Sequence, residues 1–211
     1  MIITIGRQYG SGGREIGEKL AERLHYSYYD TLILEKAAQE SGISREIIER
    51  YDEQLKDKWI TDLALGSGAN NTDNLPLSLR AALSQFEAIR KIGQKGSAVI
   101  VGRCADYVLR AQDDVLSVFV HADKADRAAR VAMRNQISIE EARKRIKNTD
   151  KHRAAYYNCY TEKTWGSADS YHLSIDSGRF GIDGAVDFLE GGVLLLRRTQ
   201  RYGPGKADDI E

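Results

Sequence analysis

The sequence predicts an α/β fold in which a parallel sheet lies between layers of helices. Three observations predict it. The chain opens on a β-branched run, a glycine-rich turn and a helix-period stretch. Two later runs, 97–101 (SAVIV) and 115–120 (VLSVFV), are almost wholly apolar, as strands covered on both faces must be. Stretches with helical periodicity separate these runs, and strand-helix alternation is the pattern of a parallel sheet.

The elements follow in order. Ile2, Ile3, Thr4 and Ile5 suit a buried first strand. The run from Gly6 to Gly13 (GRQYGSGG) is too rich in glycine for strand or helix. Ile16, Leu20, Ala21 and Leu24 then mark one face of a helix. Residues 25–30 read as a short strand ending in Asp30, and 31–41 as a helix stopped by Gly42. Ser44 opens a weakly capped helix carrying Ile47, Ile48, Tyr51 and Leu55. Residues 66–74 (GSGANNTDN) form a polar loop inside a helical insertion. After Pro76, residues Leu79, Leu83, Phe86, Ile89 and Ile92 predict a helix to Gly93. The strands at 97–101 and 115–120 come next, each followed by polar residues. Asp123 is a candidate cap for a helix through Ala128 and Val131, and Ser138-Ile139-Glu140-Glu141 is a capping box for another through Ile146. A last strand at 171–175 leads into a closing helix with Ala185, Val186, Leu189 and Val193. Residues 199–211 are expected to fray. The expected organisation is one domain over 1–198, with an insertion near 31–95 and a lid near 148–166.

Lys plus Arg and Asp plus Glu both number 31, so the net charge is zero. That argues against a general nucleic-acid binder or a partner of acidic membranes, and any anion site must be local. Cys104 and Cys159 form no metal spacing and no disulfide framework, which points to a reducing compartment. No apolar leader precedes the first strand, and residues 193–196 are too short to cross a bilayer, so a cytoplasmic location is expected.

The glycine loop carries the first functional expectation. Bare Gly10, Gly12 and Gly13 allow backbone N–H groups close to an anion, and the following helix N-terminus adds partial positive charge. Aligned with a phosphate loop G-x-x-x-x-G-K-[ST], Gly10 and Gly12 fall on the last glycines and Gly13 on the lysine. Arg14 follows, and Glu15 stands where a threonine is expected on the Mg²⁺ side. The alternative is a glycine turn that binds nothing. Ligands in such sheets sit at the carboxyl ends of the strands, and those ends carry Arg7, Asp30, Arg103 and His121. Arg14 is a candidate for the missing lysine charge.

A second cluster is basic: Arg127, Arg130, Arg134, Arg143, Lys144, Arg145, Lys147, Lys151 and Arg153. Most of these suit a solvated helix face. Asp150, Lys151, His152 and Arg153 interleave with Tyr156 and Tyr157, however, which suits a flap closing over phosphates. Trp165 is expected to pack at the base of that flap.

Over residues 2 to about 196 the chain resembles the cytidylate-kinase-like branch of the nucleoside monophosphate kinases. The opening strand-loop-helix is placed as in that family. Asp30-Thr31 matches its acid and hydroxyl at the start of the monophosphate region, Arg80 its helix arginine, and Gly102-Arg103 its Gly-Arg-Asp. Asp150 and Arg153 match its lid acid and arginine. The chain departs from the pattern at Gly13, Glu15, Cys104 and in a lid poor in arginine. The resemblance implies a three-layer P-loop kinase fold and transfer of the ATP γ-phosphate to CMP, dCMP or a related small acceptor, with Mg²⁺. It implies donor contacts from Gly10, Ser11, Gly12, Gly13, Arg14 and Glu15. It implies acceptor contacts from Asp30, Thr31, Arg80, Arg103, Asp150 and Arg153, and catalysis by Arg14, Arg103, Asp150 and Arg153. Two rivals stay open: a non-catalytic nucleotide-binding module on the same fold, and a kinase with another small-molecule acceptor.

Overall fold

The computed structural model describes residues 1–30, Ile33, Lys36 and 77–201. Thr31 and most of the expected helix at 31–41, the helix opened by Ser44 and the loop at 66–74 lie outside the described residues.

Strand β1 (Ile2–Arg7) runs through the middle of the sheet, as its buried isoleucines require. It pairs in parallel with β3 (Ala98–Val101) on one side and β4 (Val115–His121) on the other. Strand β2 (Ser27–Tyr29) adds outside β3, and β5 (Leu173–Asp176) outside β4, also in parallel. The order is β2-β3-β1-β4-β5.

Alternation along β1 assigns the two faces. Ile3 and Ile5 pack with Ile16 and Leu20 of α1 (Gly13–Leu24) and with Ala185, Leu189 and Val193 of the C-terminal helix. Ile2 instead joins Phe86, Ile89 and Ile92 of α2 (Leu77–Lys95), Leu109, and Tyr157. Short helix α3 (Ala105–Val108) follows β3, and α4 (Lys124–Asn135) follows β4. These layers make the expected three-layer P-loop kinase fold.

The caps read at Asp123 and Ser138 form, although the Glu141 carboxylate accepts from Arg145, and the cap read at Ser44 lies outside the described residues. Asp123 Oδ1 accepts from Ala125 N at 2.7 Å, and Ser138 Oγ accepts from Glu141 N at 3.1 Å. Helix α6 (Ser177–Arg201) is two helical pieces joined at Gly181, whose φ of 70° and ψ of 178° are non-helical. It lies along α1, where Lys19 reaches Asp183 at 2.7 Å and Arg23 pairs with Asp187.

Several boundaries differ from the sequence expectation. Helix α2 passes through Gly93, whose added Cβ would lie 2.7 Å from Leu109 Cδ2. Gly93 serves close packing, and Gly96, at φ 72°, follows the true end of the helix. Helix α5 (Ile139–Thr161) is continuous through the expected flap. No glycine or proline interrupts it, and Ala142, Ile146, Tyr157 and Thr161 keep one face buried. Tyr171 precedes β5 rather than starting it, and α6 extends three residues beyond 198. No described helix is long and apolar enough to cross a membrane.

Candidate active site

Beyond the carboxyl ends of β1 and β3 lies a cavity of about 450 Å³. Its cations come from three elements. Arg7 ends β1, Arg103 follows β3, and Arg153 projects from α5. Its aromatic wall is Tyr156, Tyr157, Trp165 and Tyr171. Trp165 meets Phe119 of β4 edge-on at 5.3 Å and lines the cavity.

The turn that delivers Arg103 is unusual. Gly102, Arg103 and Cys104 have φ values of 83°, 59° and 55°. Left-handed conformation costs a non-glycine residue roughly 1–2 kcal/mol. Two such residues in succession, at a strand end facing a cavity, mark a place where backbone strain is retained to aim a side chain.

Burial lowers the pKa values of Arg7 and Arg103 below the usual arginine range. Burial brings Arg153 down to about 9, and repulsion from Arg7 and Arg103 acts in the same direction. All three remain cations at neutral pH. Asp30 offers partial compensation, with its Oδ1 3.8 Å from Arg7 Nη2 and its Oδ2 3.0 Å from Arg14 Nε. Asp106 accepts a 2.7 Å hydrogen bond from Tyr157 OH, and burial raises its pKa. Thr4 Oγ1 and Tyr171 OH are buried in the same wall and have no hydrogen-bond partner among the described residues. Converging cations and unpartnered hydroxyls are what a polar anionic ligand would satisfy.

The glycine loop abuts this cavity and is held from behind. Gly10 and Gly12 have φ values of 81° and 80°, and a Cβ on Gly12 would lie 2.2 Å from Ile182 Cδ1. Arg130 Nη1 donates to Gly10 O at 2.7 Å, and Ser11 Oγ to Gln8 O at 2.9 Å. Buried Arg127 donates to Tyr9 O at 3.2 Å and to Asp150 Oδ2 at 2.6 Å. Asp150 Oδ1 accepts from Tyr9 N at 2.7 Å. Arg153 donates to Arg7 O at 3.0 Å and lies 5.6 Å from the Tyr9 ring centre.

The sequence-predicted residues thus divide. Arg103 and Arg153 meet in the cavity. Asp150 faces the glycine loop and Arg127. Arg14 is largely exposed and reaches Asp30. Gly10, Ser11, Gly12 and Gly13 form the loop, and Glu15 is exposed on α1, near Lys19. Arg80 lies on α2, outside the residues lining the cavity. Sequence reasoning placed Arg127 and Arg130 in the basic cluster but gave them no part in holding the loop. With Arg134 they fall at i, i+3 and i+7, one face of a helix, which was a readable signal. Thr4 and Tyr171 carry no comparable signal, because each reads as an ordinary strand residue.

A parallel sheet in this order, with a glycine loop between its central strand and the next helix, is the architecture of the P-loop kinases. Shikimate kinase from Bacteroides thetaiotaomicron shares that fold, with a TM-score of 0.55 at 13% identity, covering 93% of this chain and 98% of that one. The family model described as "Cytidylate kinase-like family" matches residues 2–179, and the chain belongs to that family. It is 26% identical to cytidylate kinase from Pyrococcus horikoshii over 214 residues, covering 100% of this chain and 97% of that one. An uncharacterized protein from Eubacterium ventriosum is 29% identical with a TM-score of 0.66, covering 92% of this chain and 98% of that one. The protein is therefore a kinase, a nucleotide-binding phosphotransferase of the nucleoside monophosphate kinase type.

Proposed function

We propose that the protein transfers the γ-phosphate of ATP to a nucleoside monophosphate, with CMP or dCMP as the first candidates. The observation that carries this reading is the convergence of Arg7, Arg103 and Arg153 on one aromatic-walled cavity beside the glycine loop. A monophosphate needs cations at one end and flat apolar surface at the other, and this cavity supplies both. The relatives named cytidylate kinase support the choice of base.

In this reading residues 10–15 cradle the donor phosphates. Arg103, with Asp30 after β2 and with Thr31 and Arg80 from the insertion at 31–95, holds the acceptor. Arg153, from the segment 148–166, offsets charge on the transferred group. Asp150 acts through Arg127 and Tyr9 as a positioning residue for the loop. An acceptor phosphate oxygen attacks the γ-phosphorus, the bond to the bridging oxygen breaks, and ADP leaves. The attacking oxygen is already anionic, so no protein base is required.

Mg²⁺ bound with the nucleotide would supply charge neutralisation at the donor phosphates. Among the described residues no group of three His, Cys, Asp or Glu forms a cage, and Asp30 and Asp106 are both engaged. This donor set fits an ion carried in on the nucleotide and its waters.

The test is ADP release measured against a panel of nucleoside monophosphates, shikimate and gluconate. Preference for CMP or dCMP is the expected result. Transfer only to a sugar or carboxylic acid would replace the acceptor, and ATP binding without transfer to any of them would favour the non-catalytic module.

A further inference from the structure

Counted back from Gly12 and Gly13, the eight-residue phosphate-loop pattern begins at residue 7. Its first position, ordinarily glycine, is Arg7, and its seventh, ordinarily lysine, is Gly13. The hydroxyl position falls on Arg14, one residue before Glu15. The chain has therefore exchanged the residue types at the two ends of the motif.

The structure shows that the two positions share one space. A Cβ on Gly13 would lie 2.6 Å from Arg7 Cβ and 3.2 Å from Arg7 Cγ. A side chain at 13 thus collides with the stem of Arg7. Farther along, a Cβ on Gly102 would lie 1.9 Å from Arg7 Nη1. Two glycines from different loops leave a channel, and the Arg7 side chain fills it. The guanidinium emerges into the cavity, and the Arg7 carbonyl is held by Arg153.

We propose that Arg7 supplies the charge of the absent loop lysine, entering from the first position of the motif and contacting the donor phosphates. Both cations face Asp30, but Arg14, the nearer in sequence, is 62% exposed and held at 3.0 Å, whereas the Arg7 side chain is 20% exposed and 3.8 Å away, in the more desolvated setting where a cation acts most strongly on phosphate. The inference rests on the proposed kinase reading for its ligand.

The experiment compares wild type with Arg7→Met, Arg7→Lys, Arg7→Gly and the double variant Arg7→Gly/Gly13→Lys. Methionine fills the channel without charge, and lysine keeps charge if the apolar replacement fails to fold. Calorimetry gives ATP affinity, and steady-state assays give turnover. Arg7→Met is expected to weaken ATP at least about tenfold and to slow transfer roughly 10²-fold, with Arg7→Lys intermediate. Arg7→Gly/Gly13→Lys should recover at least about tenfold over Arg7→Gly, since it returns the charge to the seventh position. ATP affinity and turnover of Arg7→Met within about threefold of wild type would overturn the proposal. A Cβ at 13 would also lie 3.2 Å from Val120 Cβ, so a double variant that melts with Arg7→Gly yet binds ATP no better is the second overturning result. ATP binding that depends on Arg7, without transfer to any monophosphate, would instead remove only the acceptor reading.

Discussion

Asp150→Ala separates a loop clamp from a mobile lid acid. The carboxylate accepts from Tyr9 N at 2.7 Å and from Arg127 Nη1 at 2.6 Å, with its side chain only 17% exposed. The Arg127 side chain is 5% exposed, so removal of its partner leaves a buried charge. Breaking such a pair costs about 3–5 kcal/mol. At about 2–4 °C per kcal/mol for a chain of this size, Tm should fall by roughly 6–20 °C. Asp150→Asn keeps an acceptor for Tyr9 N and should lose less. In an Arg127→Met background the cost of Asp150→Ala should shrink to about 1–2 kcal/mol, because only the Tyr9 contact remains to be lost. The assay is thermal and urea unfolding of the four corners of this cycle. A Tm for Asp150→Ala within about 2 °C of wild type would refute the clamp.

Three further outcomes follow from the cavity. Arg103→Ala should weaken monophosphate binding by roughly 1.5–3 kcal/mol, about 10- to 150-fold, with a smaller change for ATP; equal losses by calorimetry would defeat the acceptor assignment. Arg153→Ala should lower kcat roughly 10²-fold, about 2.7 kcal/mol of barrier, and wild-type turnover in that variant would leave Arg153 a structural contact to Arg7 O. Asp106→Asn should raise Tm at pH 7. Burial raises the folded-state pKa of Asp106 above 3.8, so its ionised form costs stability. That cost is fully present above the folded pKa and fades as pH falls toward 3.8, so the Tm gain should fade with it. A gain that is constant across this range would contradict the assignment.

The sequence made the fold legible because its strands are β-branched runs punctuated by glycine, and Arg7 and Arg103 stand directly after two of them. The cavity was only partly legible. Its cationic side follows from strand ends, but Thr4, Tyr171 and Trp165 reach it through packing between elements far apart in sequence. The basic run was the hardest part. Arg143, Lys144, Lys147 and Lys151 are exposed, as a solvated face predicts, whereas Arg127 in the preceding helix is buried. Charge density could not separate them, while helical phase could have, since Arg127 shares the apolar side with Val131. Asp150 lies in the segment matched to a lid. Its partners on α4 and the loop, set by how α4 packs on α5, make it part of the loop's support.

Helix α5 consequently serves two structures at once. Asp150 points to the glycine loop, while Thr149, His152, Arg153 and Tyr156 recur at helical spacing along the cavity. No glycine or proline divides these positions, so the helix transmits a displacement at one to the other. A loss of loop anchoring at Asp150 therefore also misplaces Arg153, and both donor and acceptor constants should change in the Asp150 variants. Turnover alone cannot separate a clamp from a lid acid in this arrangement. Stability can, because a lid acid contributes its charge to the bound substrate and a clamp contributes it to the unliganded fold.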